Sequence, residues 1–326
     1  MSGLDRARTV VRRHGLWLTA ILTVAIFFGL FAFGEADAVS EAILSLERWR
    51  IGTVFALVTV GYGVRFLKWE YYLRELGVDV PIGTSLLVFI SGLMMTVTPG
   101  KAGEVWKAWF LRDLRGVSVN RTASVVGAER VTDLLALAAF AFLGAAVYEQ
   151  SPTTLLVVTA IFLGGLALLR WRTACLRILG GLESVPLVGA YADDVREFYE
   201  NSYALLRPRP LVVAVSISLV AWGLEGVALW IVLDGFAPGG SVLLALFVFG
   251  LGSIVGAASL LPGGLAATEA SMVGTLVVLG YSRTVAVSAT LVIRVGTLWY
   301  GAALGTTVFV CYRYLRERRE SAEALR

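Results

Sequence analysis

The stretch Thr98-Pro99-Gly100-Lys101-Ala102-Gly103-Glu104 interrupts one hydrophobic run, and Leu261-Pro262-Gly263-Gly264-Leu265-Ala266-Ala267-Thr268-Glu269 interrupts another in the same manner. In each, Pro-Gly breaks the run and a glutamate follows closely. About 25 residues further on an arginine, Arg130 or Arg294, stands inside an apolar segment. Of the 326 residues, 57% are hydrophobic and only 16% charged, and the mean hydropathy is +0.77. So much apolar surface cannot be hidden in a soluble domain of ordinary composition, which predicts a polytopic membrane protein. Matched Pro/Gly interruptions in corresponding halves of such a chain point to a transporter's binding site, so the fold turns on how the two breaks are read.

Apolar segments fall at about 16–34, 51–67, 83–98, 104–111, 122–147, 153–169, 210–233, 241–261, 265–281 and 285–310. The first follows Arg6, Arg8, Arg12 and Arg13, is long enough to span, and leads into acidic residues rather than a small-residue cleavage site, so it reads as a retained span. Arg65, Lys68 and Arg74 precede the 83–111 element, and Lys107, Arg112, Arg115 and Arg121 follow the first Pro-Gly break, so both ends of the element belong on the cytoplasmic side. The run Arg170 to Arg209 is cytoplasmic as well, Asp234 to Gly240 is outer, and Arg313, Arg316, Arg318 and Arg319 place the C-terminus inside with the N-terminus. For this to close, the 241–281 element enters and leaves from outside. The expected fold is therefore all-α: six full transmembrane helices plus two re-entrant helical hairpins opening to opposite faces. Segments 51–147 and 210–310 then form an inverted-topology repeat offset by 163–165 residues; the competing reading is a set of ordinary Pro-kinked spans. The whole chain, 1–326, reads as one membrane domain of the cell membrane, with 153–169 a further span. The connection 171–209 carries Val195, Phe198, Tyr199, Leu205 and Leu206 at helical spacing and reads as an amphipathic cytoplasmic elbow.

Backbone that turns inside the bilayer survives only in protein or against water, so two such turns imply a polar chamber. The second half-helices begin near Gly103 and Ala266, and their free N–H groups and positive dipole ends suit an anion. Gly100, Gly103, Gly263 and Gly264 shape the turns, and Lys101, Arg130 and Arg294 supply cations for a phosphate, which a guanidinium matches with its planar fork. An arginine in an apolar span is costly and needs a partner, so pairing of these arginines with Glu104, Glu129, Asp133 or Glu269 is the competing structural role. Those carboxylates and Glu225 are candidates either for such pairing or for carrying protons.

His14 reads as a solvated residue of the basic N-terminal flank, and Cys175 and Cys311 offer neither a disulfide framework nor a metal cluster. Nucleophile elbow, phosphate-binding loop, metal-ligand and dinucleotide patterns are not found, so neither a metal nor a cofactor nor catalysis is expected. The net charge of +4 and pI near 9.2 come from residues flanking spans and do not point to nucleic acid. Gly252-Ser253-Ile254-Val255-Gly256 and Gly301-Ala302-Ala303-Leu304-Gly305 predict close helix packing. Trp106, Trp109, Trp171, Trp222 and Trp299 read mostly as interfacial belt residues.

At Thr98 to Glu104, then Glu129-Arg130-Val131-Thr132-Asp133, then Leu261-Pro262-Gly263-Gly264 with Glu269 and Arg294, the chain resembles the lysylphosphatidylglycerol synthase membrane-domain family over about 10–320. That resemblance implies lipid translocation: an anionic or aminoacylated phospholipid, or a polyprenyl phosphate or lipid-linked sugar, moved between leaflets. A soluble aminoacyl-transferase domain is not present in the sequence, which leaves no ground for synthase activity. The expected partners are a membrane lipid, a second copy of the chain, and enzymes of lipid or glycan synthesis. The rival readings are a membrane-embedded enzyme or accessory subunit of lipid-linked glycan synthesis, for which Asp193-Asp194 is the only loose acid pair, and a small-anion transporter.

Overall fold

The computed structural model describes residues 26, 28–30, 32–98, 103–148, 164 and 192–324. The spans expected at 16–34 and 153–169 and most of the 171–209 connection lie largely outside them. Every regular element among the described residues is helical. A short helix α1 (Ala36–Ser45) leads into α2 (Arg48–Glu75), α3 (Ile82–Gly92) with a tight 3₁₀ extension (Leu93–Val97), α4 (Trp106–Arg115) and α5 (Val119–Tyr148). The second half comprises α6 (Ala192–Leu205), α7 (Pro208–Phe236), α8 (Val242–Ala258), a 3₁₀ turn at Pro262–Gly264, α9 (Ala267–Val278), α10 (Arg283–Arg294), a π-helical turn (Val295–Trp299) and α11 (Tyr300–Ala324).

Four helices are long and apolar enough to cross a membrane: Arg48–Glu75, Val119–Val147, Pro208–Phe236 and Arg283–Arg318. At a rise of about 1.5 Å per residue, the 28 residues of α2 exceed the ~30 Å hydrocarbon core. The 12 residues of α9 reach only about 18 Å and cannot cross. Their ends are set by local chemistry. Pro208 starts α7, where a missing N–H costs nothing; Ser241 and Ser282 accept the amides of Leu243 and Val285 at the starts of α8 and α10; left-handed Gly116 closes α4.

Helices α2 and α7 form the central pair and lie antiparallel, with Arg50 near the start of α2 bonded to Asp234 near the end of α7 at 3.0 Å. Two apolar layers occupy opposite ends of this pair. One gathers Trp69, Tyr72, Val88, Phe89, Phe110, Leu111 and Val125, that is, the α3–α4 pair against the end of α2 and the start of α5. The other gathers Val54, Ala145, Leu229, Val232, Phe247 and Met272, that is, the α8–α9 pair against the opposite ends of the same helices. The two broken pairs therefore pack at opposite ends of the central helices. Their tips meet between the layers, where a Cβ built on Gly263 would lie 3.6 Å from the Val97 Cα. Helix α6 docks on α5, with Asn120 donating to Asp194 at 2.7 Å and Ser124 to the Phe198 carbonyl at 3.0 Å.

The small-residue patterns pack as expected: Gly252 and Gly256 sit against Met272 and Thr268 of α9, and Gly301 against Tyr62. At Gly305 the neighbour is backbone, since a Cβ there would lie 2.7 Å from the Ile90 carbonyl oxygen. Backbone cannot swing aside, so Gly305→Val is expected to cost about 1–3 kcal/mol, read as a lowered unfolding midpoint in detergent. Gly63→Ala, where nothing lies within 4 Å, is the control and should leave the midpoint unchanged or slightly raised.

Candidate functional site

Between the two apolar layers lies a belt of buried charge. A buried charge demands a partner, and the belt resolves into pairs. Arg130 on α5 reaches Glu104, just before α4, at 3.0 Å and Asp133 one turn on at 3.2 Å. Arg294 at the end of α10 meets Glu269, in the first turn of α9, at 2.5 Å and donates to the Gly263 carbonyl at 2.8 Å. These are equivalent arginine–glutamate pairs, one beside each break. The pairing that the sequence left as the competing role is thus what both arginines do, and it leaves them unequally accessible: the Arg130 side chain is 34% exposed, the Arg294 side chain 10%.

Three further pairs complete the belt. Lys68 on α2 lies 2.5 Å from Asp133 and donates to Ser218 of α7 at 2.8 Å, while Ser218 donates to Asp133 at 2.9 Å. Lys107 on α4 lies 3.0 Å from Glu129 and stands over the Trp69 ring at 4.5 Å. Arg65 on α2 pairs with Glu225 on α7. Among the described residues the belt thus joins five cations to five carboxylates, a balanced set that low dielectric favours over any lone charge.

A cavity of about 230 Å³ opens inside this belt, far more than one water needs by this measure. Arg65, Arg130 and Arg294 line it together with Asp133 and Glu225, and so do Gly263, Gly264 and Thr268 at the start of α9. Gly263 and Gly264 both adopt left-handed backbone, φ 60 and 66, which only glycine takes without strain. They let the turn bend back so that the N-terminal end of α9 borders the cavity. Part of the wall is apolar and reaches the protein surface: Leu134, Ala257 and Leu261 are all exposed. A smaller adjoining pocket joins Arg65, Lys68, Glu104, Lys107, Glu129 and Asp133.

The sequence-predicted site residues divide accordingly. Arg130, Arg294, Gly263, Gly264, Asp133 and Glu225 meet at the main cavity; Glu104 and Glu129 face the smaller pocket; Glu269 lies behind Arg294. Gly103 closes the first break, donating its amide to the Thr98 hydroxyl at 2.9 Å. Gly100 and Lys101 lie outside the described residues. Sequence reasoning missed Arg65, Lys68 and Lys107, which were read only as basic flanks. The available signal was the aromatic run Trp69 to Tyr72, which carries α2 beyond Lys68 and so puts Arg65 and Lys68, one turn apart, inside the helix. Trp222 requires correction: it is buried on the cavity wall rather than interfacial, because it offers its ring face to Arg65, whose guanidinium carbon lies 4.0 Å from the ring centroid.

The sequence profile of the lysylphosphatidylglycerol synthase TM region matches residues 17–305. Among curated proteins, three described as UPF0104 membrane proteins, all from Methanothermobacter thermautotrophicus, are similar. One is 25% identical over 312 residues, covering 89% of this chain and 92% of the relative. A second is 26% identical over 321 residues, covering 90% and 94%. The third is 23% identical over 339 residues, covering 94% of each.

Proposed function

Because the chain belongs to the lysylphosphatidylglycerol synthase transmembrane-region family, we propose that it is a lipid flippase rather than an enzyme, carrying a phosphate-bearing headgroup between leaflets while the tails stay in the bilayer. The observation that carries this reading is the composition of the cavity. Three guanidiniums converge at its polar side, and exposed Leu134, Ala257 and Leu261 form part of its wall. A small-anion carrier would close its chamber against lipid, whereas an amphiphile needs one wall through which its tails emerge.

In this reading α3–α4 and α8–α9 are re-entrant hairpins within an inverted repeat, and the full chain has six spans with both termini cytoplasmic. The antiparallel α2–α7 pair and the opposite placement of the two broken pairs support it. Rocking of one repeat against the other would expose the cavity to each leaflet in turn. Phospholipids and polyprenyl phosphates share the phosphate that the arginines would hold.

The test is reconstitution into liposomes containing labelled phosphatidylglycerol, phosphatidylethanolamine or polyprenyl phosphate, with leaflet exchange followed over time. At least one of these lipids should exchange in a protein-dependent manner. Arg130→Gln should slow that exchange by about tenfold or more, the size of one lost charge-assisted hydrogen bond. Exchange of none of the three lipids would overturn the proposal. An unchanged rate in Arg130→Gln would remove Arg130 from the headgroup site.

A further inference from the structure

We infer that Arg65 is a third phosphate-binding residue and that Glu225 is its built-in competitor, a carboxylate placed where a headgroup phosphate would sit. The inference rests on the flippase reading and deepens it by naming the group that a headgroup displaces.

Arg65 shares with Arg130, and with no other cation of the belt, a place on both pockets and a buried Nε–H without a hydrogen-bond partner. Lys68 and Lys107 reach only the smaller pocket, and Arg294 is fixed by both Glu269 and the Gly263 carbonyl. Arg65 lines both the main cavity and the pocket beside it, so its guanidinium stands at the junction of the two. Its plane is held by the Trp222 ring at 4.0 Å rather than by a cage of hydrogen bonds. Its Nε–H is buried without a hydrogen-bond partner. A guanidinium fork with one nitrogen on a carboxylate and its Nε unsatisfied is half occupied, and a tetrahedral phosphate offers the oxygens to fill it. Stacking on an indole fixes the fork's orientation without using its donors, which preorganises it for such a ligand.

The charge balance of the belt supplies the competitor. Every cavity arginine already has a carboxylate, so a phosphate that starts on the free Nε–H of Arg65 can take the whole fork only by displacing that partner. Glu225 lines the same cavity as Arg65 and is buried, and both residues come from the central antiparallel pair. They belong to different halves of the chain, 160 positions apart. A phosphate that takes Arg65 from Glu225 therefore also breaks a contact between the two halves.

The two members of the pair should then shift affinity in opposite directions. A short-chain, soluble phosphatidylglycerol serves as the probe, with binding to the purified full chain in detergent measured by calorimetry. Glu225→Gln, which removes the competitor and keeps the shape, should tighten binding by about tenfold. Because Arg65→Gln alone strands Glu225, the informative variant is the balanced Arg65→Gln/Glu225→Gln pair, which should fold and bind the probe about tenfold or more weakly than wild type. If the two residues merely lock helices, the balanced variant binds like wild type and Glu225→Gln does not tighten binding; either result overturns the inference. Probe binding that Arg130→Gln weakens while the balanced variant leaves it unchanged would sink this inference alone. A wild-type protein that neither binds the probe nor exchanges any tested lipid would remove the flippase reading and this inference with it.

Discussion

Asp133→Ala should be among the most damaging single substitutions in the chain, costing about 3–5 kcal/mol. Asp133 receives Lys68 at 2.5 Å, Arg130 at 3.2 Å and the Ser218 hydroxyl at 2.9 Å, so three elements converge on one carboxylate. Its removal leaves Lys68, only 1% exposed, as an uncompensated charge between α2, α5 and α7. The expected result is a collapse of the unfolding midpoint in detergent. The double variant Lys68→Met/Asp133→Ala discharges the site and should recover most of the loss, because a missing pair is far less costly than a stranded partner. A double variant as unstable as Asp133→Ala alone would show that the cost arises from packing or from Arg130 instead.

The second large effect is expected at Arg294. Arg294→Ala strands Glu269, 1% exposed, and frees the Gly263 carbonyl at the turn that shapes the cavity, so a loss of about 3–5 kcal/mol should accompany loss of lipid exchange. Arg294→Lys separates the two consequences. An ammonium can keep the pair with Glu269 but cannot also serve the Gly263 carbonyl with a planar fork. Stability should be largely retained while the exchange rate falls by about tenfold. Wild-type exchange in Arg294→Lys would mean that Arg294 acts only as a strut.

Much of this arrangement was legible in the sequence because it rests on strong local signals. Pro-Gly is disfavoured inside a helix, so breaks were read near Pro99 and Pro262; the chain does turn at Pro262–Gly264, and Ala267 does begin a new helix. Arginine and glutamate in apolar surroundings must be paired or wet, which drew attention to Arg130, Arg294, Glu104 and Glu269. What stayed hidden was the partnering. Whether a charge near a helix end is a solvated flank or a buried group depends on where that helix ends in the fold, and the aromatic stretch Trp69 to Tyr72 carries α2 well past Arg65 and Lys68. Lys107 was hidden for the same reason: one face of α4 is buried against α3 and α5, and Gly92 leaves room for the lysine stem to cross. The role of Trp222 depends on Arg65, which belongs to the other half of the chain and lies far away in sequence.

The π-helical turn at Val295–Trp299 sets the aim of everything after Arg294. One residue more than an α-helical turn holds rotates the remainder of the rod by roughly 100° about its own axis. Upstream of that offset, Arg294 looks toward Glu269; downstream, Tyr300 and Gly305 look toward α2 and the 3₁₀ segment of the first break. Tyr62 pins the offset by donating its hydroxyl to the Thr297 carbonyl at 2.7 Å. A single-codon deletion within these five positions would leave the apolar character of the rod almost unchanged, yet it would turn its far half away from every neighbour it now touches.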